Sequence, residues 1–181
     1  DDEKVIAGQG TVGLEIIEQN KNDIDVLLVP IGGGGLAAGI CEVFKFLSPK
    51  TKIIGVEPSG APSMTSALKN KAPKLIALTD NFVDGATVKK VGELNYRFCK
   101  DYLDKVITVC EGHVCSVILK LYNEQGIVIE PAGALTISAL EILKKQEIHN
   151  KNIVCIISGG NNDISRTEEI KERALMYENL K

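Results

Sequence analysis

The sequence of 181 residues is short of several features that would assign it at a glance. It has two histidines, His113 and His149, and neither has companions at metal-ligand spacing, so no metal site is expected on them. There is no G-x-S-x-G elbow to support a hydrolase triad. The five cysteines (Cys41, Cys99, Cys110, Cys115 and Cys155) are odd in number and form no C-x-x-C pair. They lie in apolar segments, which reads as reduced thiols packed in a core. Basic residues are not in excess: 21 Lys and Arg against 24 Asp and Glu leave a net charge of −3, which argues against nucleic acid as a partner. No apolar run approaches the ~20 residues of a bilayer-spanning helix, and no signal-peptide pattern opens the chain. A cytoplasmic protein without membrane contacts is expected. Internal repeats and low-complexity tracts are also lacking. The first residue is Asp1, not methionine, and helical pattern begins almost at once, so the chain is expected to be a fragment of a larger protein.

What is present is an ordinary globular balance, 44% hydrophobic and 25% charged residues. The length suits one substantial domain or the larger part of a two-domain enzyme. Strand-like runs rich in Val and Ile occupy 25–30, 52–57, 105–109 and 152–158. Helical patterns fall at about 10–20, 36–47, 91–102, 111–125, 132–146 and 165–180, the last opened by the capping box Ser165-Arg-Thr-Glu168. Near-continuous apolar strands alternating with helices predict an α/β fold: a mostly parallel open sheet with helices on both faces. Residues 58–90, with three prolines, read as a short helix followed by a long surface excursion. His113 and His149 read as surface or cap residues, and the mixed charges from Glu168 to Arg173 as a solvated helix face.

The most informative feature is the run Gly32, Gly33, Gly34, Gly35, set between the first strand and a helix. A strand that ends in bare backbone and opens a helix presents unpaired N–H groups at the positive end of a helix dipole, which suits a phosphate. Gly33-x-Gly35-x-x-Ala38 also satisfies the dinucleotide fingerprint, with Glu57 placed to bond a ribose hydroxyl. A third reading is a tight turn and nothing more. Ser158-Gly-Gly-Asn161 follows the last strand. In an open parallel sheet both loops fall at the carboxyl ends of the strands and plausibly face one crevice. Ser158 is either a turn residue or a hydroxyl bonded to a ligand heteroatom. Glu130, just before the helix near Ala132, reads as a carboxylate favoured by that helix's positive end.

Six motifs then occur in order. They are Val5-Ile-Ala-Gly-Gln-Gly-Thr11, Val29-Pro-Ile-Gly-Gly-Gly-Gly-Leu-Ala-Ala-Gly39, Gly55-Val-Glu-Pro58, Asp84-Gly-Ala-Thr-Val88, Glu130-Pro-Ala-Gly-Ala134 and Ser158-Gly-Gly-Asn161. Together they resemble the threonine dehydratases, pyridoxal-phosphate enzymes of the tryptophan-synthase-β fold type, over nearly the whole chain. The resemblance implies pyridoxal 5'-phosphate as cofactor. By it, Gly32, Gly33, Gly34, Gly35 and Leu36 match the loop whose amides hold the cofactor phosphate, and Ser158 matches the hydroxyl that bonds the pyridine nitrogen. It also implies the conversion of threonine to 2-oxobutanoate and ammonia, on the way to isoleucine, in a cytoplasmic homo-oligomer, dimer or tetramer. The closing stretch from Arg166 to Lys181 is similar to the one that precedes the regulatory domain of allosteric biosynthetic forms.

The same resemblance places the Schiff-base lysine upstream of this segment, with the small substrate domain. No catalytic residue is therefore expected here, and residues 1–181 are expected to be most of the large cofactor-binding domain. The lone S-x-K, Ser48-Pro49-Lys50, falls at the amino edge of the sheet, a strand length from the crevice. Related serine racemases hold a divalent cation at positions matching Glu57, Ala61 and Ser63. They carry an aspartate where this chain has Ser63, so no metal is expected. A serine dehydratase or racemase, a nicotinamide-dependent oxidoreductase and a non-catalytic module are the competing readings.

Overall fold

Four parallel strands form the sheet: β1 (Val26–Pro30), β2 (Lys52–Pro58), β3 (Lys105–Val109) and β4 (Ile153–Cys155), in the spatial order β3-β2-β1-β4. The computed structural model describes residues 1–20 and 23–180. The central pair is in register from Val26 opposite Lys52 to Pro30 opposite Val56, and β4 lies on the other side of β1, with Val26 opposite Ile153. The chain therefore moves outward from β1 to β3 in one direction and then returns to the other side of β1. That reversal makes the β1/β4 boundary a topological switch point, where the carboxyl ends of the strands leave a crevice.

β1 is buried along its full length because alternate side chains enter two different cores. Val26 and Leu28, with Ile54 and Val56, pack against α5 (Glu111–Gln125), α6 (Pro131–Ile142) and α8 (Thr167–Glu178). Leu27 and Val29, with Ile53, face α1 (Glu3–Gln19), α2 (Gly35–Leu47), α3 (Ser63–Asn70) and α4 (Glu93–Cys99). A two-sided core of this kind explains why the strand reads as one apolar run. A short helix, α7 (Lys145–Ile148), follows α6.

Several boundaries differ from the sequence reading, each for a physical reason. Helix α1 starts at Glu3, not near residue 10: Asp2 caps it by accepting from the amides of Lys4 (2.7 Å) and Val5 (3.4 Å). Its glycines weaken the local helical signal. They are kept by packing, because a Cβ at Gly10 or Gly13 would press against Val43 of α2 at 3.3 Å. The capping box at Ser165 does not form. Ser165 lies in a 3-10 turn (Ile164–Arg166), its amide held by Asp163 at 2.9 Å, and α8 begins at Thr167. β4 is shorter than its apolar run, although Ile156 still donates to the Leu28 carbonyl. The 58–90 excursion contains the expected short helix, α3, and a 3-10 turn at Asp84–Ala86.

His113 is not a surface or cap residue. It is 3% exposed, its Nε2 lies 2.8 Å from Glu141 of α6, and its ring stacks on Tyr177 of α8 at 4.9 Å. It thus ties together three helices on one face. His149 is exposed, as read.

The cysteines divide. Cys41, Cys99 and Cys115 are buried, Cys155 is half-buried, and Cys110, read as a core thiol, is exposed at the mouth of α5. A hydrogen bond to Cys41, together with burial, pushes the Cys99 thiol up; burial, against the pull of Arg173, raises Cys115 to about 12, and burial alone raises Cys155 to about 11. Thiolate is the reactive form, so Cys110 is expected to be alkylated at least ~10-fold faster than the three buried thiols in the native protein at pH 8. Mass spectrometry of the labelled protein against reaction time checks this.

Candidate cofactor-binding site

The glycine run occupies the crevice that the sheet order creates. β1 ends at Pro30, and α2 opens at Gly35 behind an N-cap, Gly34, whose φ of +91° is left-handed. That φ suits glycine, because a side chain there is strained. No side chain caps α2. The first N–H groups of a helix have no intrahelical acceptor, and among the described residues nothing else takes the amides from Gly33 to Leu36. A short arc of backbone donors thus stands free at the positive end of a 13-residue helix.

These donors line a cavity of ≈190 Å³. Its other walls come from distant parts of the chain: Gly85 and Ala86 of the 3-10 turn, Ala132 at the start of α6, and Ser158 beyond β4. Gly32, Gly33, Gly34, Gly35, Leu36 and Ser158 are therefore brought together in one place. A Cβ built at Gly33 or Gly35 would meet no protein atom within 4 Å, so bare backbone leaves space there that a side chain would fill. Such a cradle, lined by unpaired amides and empty of acidic side chains, fits a phosphate group. The Ser158 side chain is exposed, and its hydroxyl has no partner among the described residues.

Three residues of the crevice were not legible as such. Gly85 and Ala86 belong to the Asp84-Gly-Ala motif, in a stretch without periodicity; they pack against the glycine run so closely that a Cβ at Gly32 would lie 2.9 Å from the Ala86 Cα. Glu130 stands at the N-cap of α6 but makes no capping bond. Its amide donates to the Gly159 carbonyl, and its carboxylate lies against Gly159 and faces Gly85, beside the Ser158 loop.

The wall carrying Gly85 and Ala86 is held from behind. Arg166 and Arg173 place their guanidinium carbons 4.5 and 4.7 Å from the centre of the Phe82 ring. Arg166 also donates to the Phe82 carbonyl at 3.0 Å, and Arg173 pairs with Asp80 at 2.6 Å. Two cations on one ring and two bonds to its flanks fix the 80–86 segment to the C-terminal helix.

Glu57 is fully buried, not available to a ribose. Its oxygens accept from the amides of Met64 (2.6 Å) and Thr65 (2.9 Å) and from the hydroxyls of Thr65 (2.8 Å) and Ser63 (3.3 Å). It caps α3 from below, which removes the acid that the dinucleotide reading required. Lys50 lies at the opposite, amino edge of the sheet, in a separate cavity of ≈340 Å³ lined also by Lys52, Asp101 and Asp104. No lysine among the described residues lines the glycine cavity.

An open parallel sheet with an anion cradle at its switch point defines an α/β protein of the phosphate-cofactor-binding class. The family described as pyridoxal-phosphate dependent enzyme matches residues 1–159, and the chain belongs to that family. It is 51% identical over 180 residues to "L-threonine dehydratase biosynthetic IlvA" of Halalkalibacterium halodurans, covering 99% of this chain and 43% of that protein. It is 52% identical to the protein of the same name in Staphylococcus aureus strain MSSA476, again over 180 residues. Among solved structures it is similar to the processed form of threonine deaminase isoform 2 from Solanum lycopersicum, with 39% identity and a TM-score of 0.87 over 96% of this chain and 51% of that one. The serine racemase from Dictyostelium discoideum is 36% identical, with a TM-score of 0.80 over 91% of this chain and 52% of that one. The chain thus spans less than half the length of the curated relatives it matches. Among the described residues no helix is long and apolar enough to cross a membrane.

Proposed function

We propose that this chain is the cofactor-holding part of a biosynthetic threonine ammonia-lyase, converting L-threonine to 2-oxobutanoate and ammonia for isoleucine synthesis. The observation that carries the reading is the cavity between the β1 and β4 ends, with free amides on one wall and a free serine hydroxyl on another. In this reading the amides of Gly32, Gly33, Gly34, Gly35 and Leu36 hold the phosphate of pyridoxal 5'-phosphate, and Ser158 bonds the ring nitrogen. When bound, the cofactor supplies an electron sink for the pair left when a bond to the substrate α-carbon breaks. The chain's own contribution is position: amides fixed at a helix terminus anchor the phosphate, and a neutral hydroxyl accepts or donates at the far end of the ring.

Residues 1–181 then make up most of the large domain. The small substrate domain, the lysine that holds the cofactor covalently and the regulatory domain belong to the length that the relatives have beyond this segment. The intact protein is a cytoplasmic, allosteric homo-oligomer. With no lysine lining the cavity, the 181-residue chain is expected to be inactive alone, and borohydride reduction with pyridoxal phosphate is expected to label no single lysine preferentially. The full protein is expected to release 2-oxobutanoate from threonine with a higher kcat/KM than pyruvate from serine. A higher serine value, or racemised serine as main product, would move the assignment to the racemase branch. Threonine turnover by the 181-residue chain would overturn the division of labour proposed here.

A further inference from the structure

The free amides at the glycine run face the cavity only if the peptide planes are held, and a buried side chain and a backbone amide at the start of α4 share the holding. The Gly33 carbonyl accepts two bonds from the far side of the loop: the Asn95 Nδ2 at 2.7 Å and the Gly92 amide at 3.2 Å. Asn95 is 5% exposed, on α4, outside the cavity lining. The peptide joining Gly33 and Gly34 is trans, so its carbonyl and its N–H point in opposite directions. Drawing the Gly33 oxygen towards α4 therefore turns the Gly34 N–H away from α4, towards the cavity that Gly33 and Gly34 line. Gly34 has a φ of +91° and no side chain, so these two bonds, the shorter of them from Asn95, fix this plane.

We infer that Asn95 is a positioning residue that aims the Gly34 N–H at the cofactor phosphate. The inference rests on the phosphate reading given above. Asn95 suits the task because its amide is short and neutral, and can donate to a carbonyl without adding charge behind an anion site. Its Oδ1 is buried and has no partner among the described residues, so the bond to Gly33 is the side chain's sole hydrogen bond. Its backbone is fixed as well: the Asp1 carboxylate accepts from the amides of Glu93, Leu94 and Asn95, and the Gly34 Cα packs so near that a Cβ there would lie 3.1 Å from the Asn95 Cβ.

The test uses the full protein freed of cofactor and two ligands that differ by one group, pyridoxal 5'-phosphate and pyridoxal. Wild-type protein is expected to bind the phosphorylated ligand more tightly. Asn95→Leu keeps the size but presents neither a donor nor a charge to the Gly33 carbonyl. It is expected, like Asn95→Ala, to raise the Kd for pyridoxal 5'-phosphate at least tenfold and to leave that for pyridoxal within twofold. General damage to the fold would weaken both ligands alike, and that result, or an unchanged Kd for both, overturns the inference. A second arm needs no variant. In ¹⁵N-labelled wild-type protein, addition of pyridoxal 5'-phosphate is expected to move the Gly34 amide proton downfield, and pyridoxal is expected not to. An unmoved Gly34 amide in protein that does prefer the phosphorylated ligand overturns the role of Asn95 alone. No preference between the two ligands in wild-type protein overturns the phosphate reading itself.

Discussion

Glu57→Ala is expected to lower the unfolding free energy by ~4 kcal/mol in a urea titration, because it strands buried donors that each cost roughly 1–3 kcal/mol when unmade. The carboxylate gathers two amides and two hydroxyls at the opening of α3, and α3 has no side-chain cap of its own. Against a total stability of roughly 5–15 kcal/mol for a domain, such a loss removes between about a quarter and four-fifths of it. The same carboxyl sets a pH dependence. Burial holds it above the ordinary carboxylate range, although the four donors pull it back. The folded state binds this proton more tightly than the unfolded chain does. The contribution to stability is therefore fully present below the ordinary carboxylate range and declines as pH rises through the raised value. Glu57→Gln cannot titrate, so the change in urea midpoint between pH 4 and 7 should shift towards rising stability relative to wild type. An identical profile in the two proteins would show that Glu57 does not carry this slope.

Gly39→Ala is expected to destabilise the protein by ~3 kcal/mol, at the upper end of the usual cost of overpacking. Helices α1 and α2 cross in backbone contact at this point. A Cβ on Gly39 would lie 2.5 Å from the Gly10 amide nitrogen, and nearer still to the Ile6 carbonyl oxygen. Neither obstacle is a flexible side chain, so the helices must move apart. Their separation would open the core around Ile6, Ile40 and Phe44. Gly33→Ala is a fitting control, because its Cβ meets nothing within 4 Å. Thermal unfolding should show a large fall for Gly39→Ala and a small one for Gly33→Ala. Equal falls would show that the crossing does not set the cost, since exchange of glycine for alanine inside a helix by itself adds stability.

The strands were legible because both of their faces are apolar, so Val26 to Val29 announce themselves whichever core they enter. The glycine run and Ser158 were legible because strand ends in a parallel sheet share one edge, and the fold indeed brings them to one cavity. What escaped has no local signature. His113 carries no pattern that points to Glu141 or Tyr177, which approach it only when three helices pack. Gly85 and Ala86 sit in an excursion without periodicity, and their place against Gly32 is a tertiary fact. Asn95 is one polar residue among the mixed residues of a short helix. Its importance lies in a carbonyl 62 residues away in the chain. Glu130 was placed correctly at a helix start, but which way its carboxylate turns is decided by the loop after β4.

The cavity walls come from four places in the chain, from Gly32 through Gly85 and Ala132 to Ser158. No part of the binding surface survives in the unfolded chain, so a ligand that recognises all four walls distinguishes sharply between the two states. By mass action such a ligand stabilises the folded form, by about 2.7 kcal/mol at a concentration 100 times its Kd. Cofactor supply would then govern abundance as well as activity: a cell short of the cofactor would hold more of this protein in open, protease-sensitive forms.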